Sequence, residues 1–191
     1  MISKNVLKEI DRAVKEIWLN EVVNDYDDGF LFKEDSLKCC LYYHLRNRLE
    51  KLLKDNNLRI YPEFYFSELK YRADIAIVEM DPKSEALYLR DRVKDVVAIF
   101  ELKYDGGNAE GTAAVIKNDV WKIKDYIQKG KLLCQYYFAV IYETECYALN
   151  WLDKRNTWAK GYVTELDAGL LDGEMWFEVH AYNDMNMEYS E

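Results

Sequence analysis

Glu101 and Lys103 stand at the polar end of the apolar run Val96-Val97-Ala98-Ile99-Phe100. Residues two apart in a strand project from one face. A carboxylate and an ammonium group would therefore leave a buried strand side by side, with Leu102 on the other face. Asp74 sits in Arg72-Ala73-Asp74-Ile75-Ala76-Ile77, a single acid entering an apolar stretch of the preceding strand. If the two strands pair as a hairpin, Asp74 lies near Glu101. Close, buried carboxylates repel one another and are costly to ionise. A divalent cation relieves both costs, and oxygen ligands beside a lysine suit Mg2+ or Mn2+ better than Zn2+. Glu34 is a fourth candidate. At helical spacing, positions 34, 37, 41, 45 and 48 share a face, so Glu34 extends the stripe of Leu37, Leu41 and Leu45 towards the sheet. Asp35 falls with Lys38, Tyr42 and Arg46 on the wetter flank and remains the alternative helix acid. Each residue also has a plainer role. Glu101 and Lys103 can form a cross-strand pair on a solvated face, Asp74 can pair with Arg72, and Glu34 can answer the helix dipole.

The elements that must position these groups follow from periodicity. Val6, Ile10, Val14, Ile17 and Trp18 form the stripe of a first amphipathic helix, and Asn24 to Gly29 reads as a loop. A second helix spans about Glu34–Lys54, with Leu37, Leu41, Leu45, Leu49 and Leu52 inward. Arg59–Phe66, Tyr71–Glu79 and Asp95–Tyr104 read as neighbouring antiparallel strands. Gly106-Gly107-Asn108 ends the third. A helix over Gly111–Lys129 carries Ile116, Val120, Ile123 and Ile127, and Gln135–Glu143 reads as a buried strand. A helix near Glu145–Lys154 comes next. Strands near Gly161–Asp167 and Glu174–Tyr182 follow, joined by Ala168-Gly169 and Asp172-Gly173. The order α–α–β–β–β–α–β, then a mixed tail, predicts an α/β fold with a mixed central sheet flanked by helices. The expected layout is a single domain: an N-terminal helix over 1–28, a core over 33–143 and an acidic extension over 144–191.

Composition narrows the function classes. The 191 residues are 50% hydrophobic, with 2 prolines and 8 glycines, which excludes wholesale disorder and repeat-type fibrous chains. No stretch is apolar enough to span a membrane and the start lacks a secretory pattern, so an intracellular, cytoplasmic protein is expected. Cys39, Cys40, Cys134 and Cys146 lack the spacing of a Cys/His zinc site. With only His44 and His180, histidine-based hydrolysis has few parts. The net charge is −9, and from Glu143 onward the chain holds 11 acidic and 3 basic residues. By contrast, Lys33–Arg59 holds 7 basic and 4 acidic residues, and Lys117–Lys131 holds 5 and 2. A net-acidic chain disfavours nonspecific nucleic-acid binding, yet these segments permit a local basic cleft.

A helix acid, an Asp on a second strand, Glu-x-Lys on a third, then a helix and a strand resembles the PD-(D/E)XK, or restriction-endonuclease-like, nuclease superfamily. The matching residues are Glu34, Asp74, Glu101 and Lys103, over about 34–143. The segment Asn118-Asp119-Val120-Trp121-Lys122 also resembles a helix Asp-x-x-Lys found in small members of that group. The proline of the "PD" pair is replaced by Ala73. The resemblance implies a restriction-endonuclease-like core and Mg2+-dependent hydrolysis of phosphodiesters, with Mn2+ as a substitute. Asp74, Glu101 and the Leu102 carbonyl would hold the metal, with Glu34 completing its shell. Lys103 would orient the attacking water or stabilise the phosphorane, and Asp119 and Lys122 would line the cleft. DNA is favoured over RNA as substrate, and a homodimer would supply two centres for a double-strand cut. The rival reading is a non-catalytic module on the same fold, binding nucleic acid or engaging a protein partner through the acidic C-terminal segment.

Overall fold

The computed structural model describes residues 2–106, 112–132, 134–152 and 156–181. Its centre is a six-stranded mixed sheet in sequential order. The strands are β1 (Leu58–Phe66), β2 (Tyr71–Met80), β3 (Val93–Asp105), β4 (Gln135–Glu145), β5 (Val163–Leu171) and β6 (Glu174–Ala181). β1, β2 and β3 form an antiparallel meander. β3, β4 and β5 run parallel, and β6 turns back antiparallel on β5. Parallel neighbours need a crossover, and α5 (Thr112–Gln128) supplies it between β3 and β4.

Period-two alternation sorts the central strands onto two layers. Ala98, Phe100 and Leu102 of β3, with Tyr137, Ala139 and Ile141 of β4, pack under α1 (Lys4–Ile17) and α3 (Glu34–Arg48). Ile99, Tyr136, Phe138 and Val140 point the other way, against Ile116, Val120, Ile123 and Tyr126 of α5. Parallel strands covered on both faces are near-continuously apolar, as β4 is. Among the described residues no helix is long and apolar enough to cross a membrane.

Several segments differ from expectation. Asn24 to Asp27 is not a loop. The first helix passes through a π-helical turn (Trp18–Val22) into α2 (Val23–Asp27), and the chain breaks only at Asp28 and Gly29. The extra residue in that turn keeps both Trp18 and Val22 buried. The second helix is interrupted at Leu49, so α4 (Glu50–Asp55) buries Leu53 more deeply than Leu52, which packs partly buried against the same core. The helix expected near Glu145–Lys154 is absent over the described part, to Leu152. The Cys146 N–H donates to the Leu170 carbonyl (2.8 Å) and the Cys146 carbonyl accepts from the Trp176 indole (3.2 Å), so the last turns of the sheet hold this backbone. Ala168-Gly169 is the interior of β5, not a turn. The reversal is at Asp172-Gly173, with φ of 53° and 83°, the left-handed pair that a two-residue hairpin demands. The Gly107-Asn108 part of the break after β3 lies outside the described residues.

Gly169 pairs with Trp176, and a Cβ there would lie 2.3 Å from an indole carbon and 2.7 Å from the Cys146 sulfur. Gly169→Ala is therefore expected to cost about 1–3 kcal/mol through overpacking, read as a fall in Tm of several degrees. An unchanged Tm would show that the indole does not fill this space.

Candidate functional site

β2 and β3 separate where the acids stand. Their last register pair is Ile75 with Phe100. Beyond it β3 continues along β4 as far as Asp105, while β2 keeps only β1. In this fork the Asp74 carboxylate replaces the missing ladder acceptor, taking the Leu102 N–H at 2.8 Å. β2 also changes face here, since Ala73 packs in the α5 layer and Ile75 in the α3 layer. Opposite, Glu63 has φ of 55°, left-handed backbone inside a strand. Such positions cost energy and persist only where the surroundings impose them.

Eight charged side chains, three lysines and five carboxylates, converge on the fork. Glu101 is wholly buried, and the Lys122 ammonium meets its Oε2 at 2.6 Å. Lys103 bridges Glu34 (2.9 Å) and Asp119 (3.1 Å). Lys38 lies 3.0 Å from Asp74 and also pairs with Glu63. Burial pushes Glu101 well above the usual carboxylate range, with Asp74 and Asp119 adding to the shift and Lys122 opposing it. Burial likewise raises Asp119 against the pull of Lys103 and Lys122. Burial alone would lower Lys103, but Glu34 and Asp119 outweigh it and hold the ammonium above its ordinary range. Three buried polar atoms of the cluster remain without hydrogen bonds: Oε1 of Glu101, Oδ2 of Asp119, which has its ion pair with Lys103, and the Tyr126 hydroxyl, close enough for Glu101 to raise the phenol further after burial.

All the sequence-derived side chains meet here: Glu34, Asp74, Glu101, Lys103, Asp119 and Lys122. Glu34, not the exposed Asp35, is the helix acid that reaches the cluster. Asp119 and Lys122 do not pair with each other but hold Lys103 and Glu101 separately. Lys38, Glu63 and Tyr126 are additions. Lys38 belongs to the wet flank by helical angle, yet its side chain is only 13% exposed, because a long aliphatic stem carries the charge inward. The two tight Asp/Glu/His/Cys groups among the described residues lie elsewhere, at Asp25, Cys40 and His44 and at Asp167, Glu178 and His180. In the fork, lysines stand between the acids. A groove of about 970 Å³ beside β1 and the Leu89–Arg92 turn shares only Glu63 with the cluster.

No family model, no curated protein and no solved structure matches the chain. The reading of the site rests on its own geometry.

An acid raised on folding contributes stability below its unfolded pKa, and that contribution is lost as pH rises through the folded value. With chelator present, Glu101→Gln is therefore expected to melt above the wild type at pH 8, the gap closing as pH falls towards 4.5, the ordinary value. A variant that melts below the wild type at pH 8 would mean that the Lys122 pair outweighs the cost of burial.

Proposed function

We propose that the chain hydrolyses phosphodiesters with a divalent metal, as a nuclease of the PD-(D/E)XK type on a restriction-endonuclease-like core, acting on DNA in preference to RNA. The observation that carries this reading is the unsatisfied, fully buried Glu101 oxygen beside Asp74. The residues fit Mg2+ or Mn2+. The donors are all oxygens, and the Glu34, Glu63, Asp74, Glu101 and Asp119 carboxylates outnumber Lys38, Lys103, Lys122 and the rim residue Arg72. Asp74, Glu101 and the Leu102 carbonyl would hold the ion, with Glu34 direct or through water. An ion held there would lower the pKa of a water and offset charge on the phosphoryl group.

The remaining work falls to the chain's own side chains. Lys103, held protonated by Glu34 and Asp119, cannot take a proton from water at neutral pH. It serves as a fixed positive charge and donor for a non-bridging phosphate oxygen. Asp119, whose carboxyl burial raises against the pull of Lys103, faces that ammonium at 3.1 Å and keeps it in place. Lys122 and Lys38 keep Glu101 and Asp74 in place before phosphate arrives. The loop leading into α3 presents Phe30 (67% exposed) and Phe32 (71%) beside Lys33. The Tyr104 hydroxyl ties this loop to β3 through the Leu31 carbonyl at 3.2 Å. Exposed aromatics beside a lysine form a stacking platform for unpaired bases.

One observation favours the rival, a binding module without catalysis. Each central acid already has a lysine, so the cluster can be a structural charge network. The acidic extension supports that module less than its composition implies, since Glu165 and Asp167 are buried in β5.

Cleavage of plasmid and single-stranded DNA with Mn2+ separates the readings. The wild type is expected to cut, and Lys103→Ala to lose roughly 10²–10³-fold in rate. Phe30→Ala/Phe32→Ala is expected to weaken single-stranded DNA binding while leaving the maximal rate close to wild type. A wild type that neither cuts nor gains thermal stability with Mn2+ would favour the module.

A further inference from the structure

A second polar centre lies on β5 and β6, level with Glu101 and Lys103 but separated from them by β4, whose Phe138 and Val140 stand between. Asp167 is opposite Glu178, and Glu165 is opposite His180. Alternation puts the Asp167 and Glu165 side chains on the α5 layer, since Leu166 and Ala168 pack on the other. His180 Nε2 is 2.8 Å from Glu178 Oε1 and 3.9 Å from Asp167 Oδ2. One ligating atom from each of Asp167, Glu178 and His180 can be chosen so that all lie within 4.8 Å of one another.

Asp167 makes this more than a cluster. Its side chain has 0% exposure, and neither oxygen has a hydrogen bond. The Trp151 indole approaches it, but its N–H is also without a hydrogen bond. A carboxylate buried without hydrogen bonds is costly to ionise unless a cation faces it. The outer side of the group is open, with His180 43% and Glu178 40% exposed, so an ion has a way in. Glu165 backs the site. Its Oε1 accepts from the Leu152 N–H at 2.6 Å, its Oε2 has no partner, and burial pushes its pKa up to about 8.

We propose that Asp167, Glu178 and His180 form a binding site for a divalent transition ion, Zn2+ above all, clasping β5 to β6. One imidazole with two carboxylates is a borderline nitrogen–oxygen donor set. Such a set binds Zn2+ more tightly than Mn2+, and Mg2+ prefers oxygen alone. The site is separate from the fork and does not depend on phosphodiester hydrolysis there.

Zinc is titrated into the untagged full chain against a chromophoric chelator, with thermal melting followed in parallel. The wild type is expected to bind zinc and melt higher with it, and excess Mg2+ is expected not to compete. His180→Ala and Glu178→Gln change exposed residues on β6 and are each expected to lose at least about tenfold in zinc affinity, as even loss of a ligand's outer partner costs that much. His44→Ala, at the other Asp/Cys/His group, is expected to bind as the wild type does. Asp167→Asn is expected to lose zinc binding yet melt above the wild type in chelator. No zinc uptake by the wild type, or equal affinity in the wild type and His180→Ala, overturns the proposal. If Asp167→Asn does not fold, the two β6 variants decide.

Discussion

A carboxylate with no exposed surface has to be discharged, and the centre of this molecule is arranged around that requirement. Glu101 sits where β3 has lost β2 as a partner but still has β4, so its backbone is fixed while its side chain enters the fork. Every other charged group nearby answers to it. Lys122 reaches it from α5, Asp74 and Asp119 raise its proton affinity, and Lys103 and Lys38 restrain those two acids. The fork itself depends on a local exchange, in which the Asp74 side chain accepts the Leu102 N–H that a strand would otherwise have taken. This exchange satisfies a buried backbone donor, an obligation nearly all buried amides meet, and it aims the rest of the carboxylate at the cluster.

The fold brings these residues together from distant parts of the sequence. Glu34 and Lys38 start α3, which packs under one face. Asp119 and Lys122 lie on α5, which covers the other. Only at the fork, where the two layers are not separated by a paired β2–β3 ladder, can side chains from both helices reach one point. β5 carries buried acids of a different kind. Among the described residues no lysine pairs with Glu165 or Asp167, and the irregular segment through Trp151 and Leu152 closes over them. The first group of acids is paired with cations from the chain itself though it outnumbers them, while the second has only His180 beside it among the described residues. A group with mixed signs suits a site that must receive phosphate, and an unbalanced one suits a resident ion.

Much of this arrangement was legible in the residue pattern. The alternation around Glu101 and Lys103, the lone acid entering β2 and the helical stripe through Glu34 each follow from a fixed period, and periods survive folding. What was not legible depended on reach, backbone irregularity or coverage. Lys38 lies on the wet side of α3 by angle and enters the site by the length of its side chain. Glu63 joins only because its backbone is left-handed, which no sequence period encodes. Tyr126 rather than Ile127 is the residue buried at that end of α5. The segment after β4 carries apolar residues at near-helical spacing, but β5, through the Leu170 carbonyl and the Glu165 carboxylate, and Trp176 take Cys146 and the Leu152 N–H instead. The acids of β5 alternate with apolar residues, as on a half-solvated strand, and are buried because that same segment folds over them.

The claim that Glu101 is the group an ion must discharge is tested most directly by Mn2+ binding measured calorimetrically at pH 6 and pH 8, in the His180→Ala chain. Binding is expected to tighten with pH and to release protons, both effects being lost in Glu101→Gln together with at least about tenfold in affinity. Equal Mn2+ affinity with and without the Glu101 carboxylate, or affinity independent of pH, would contradict it.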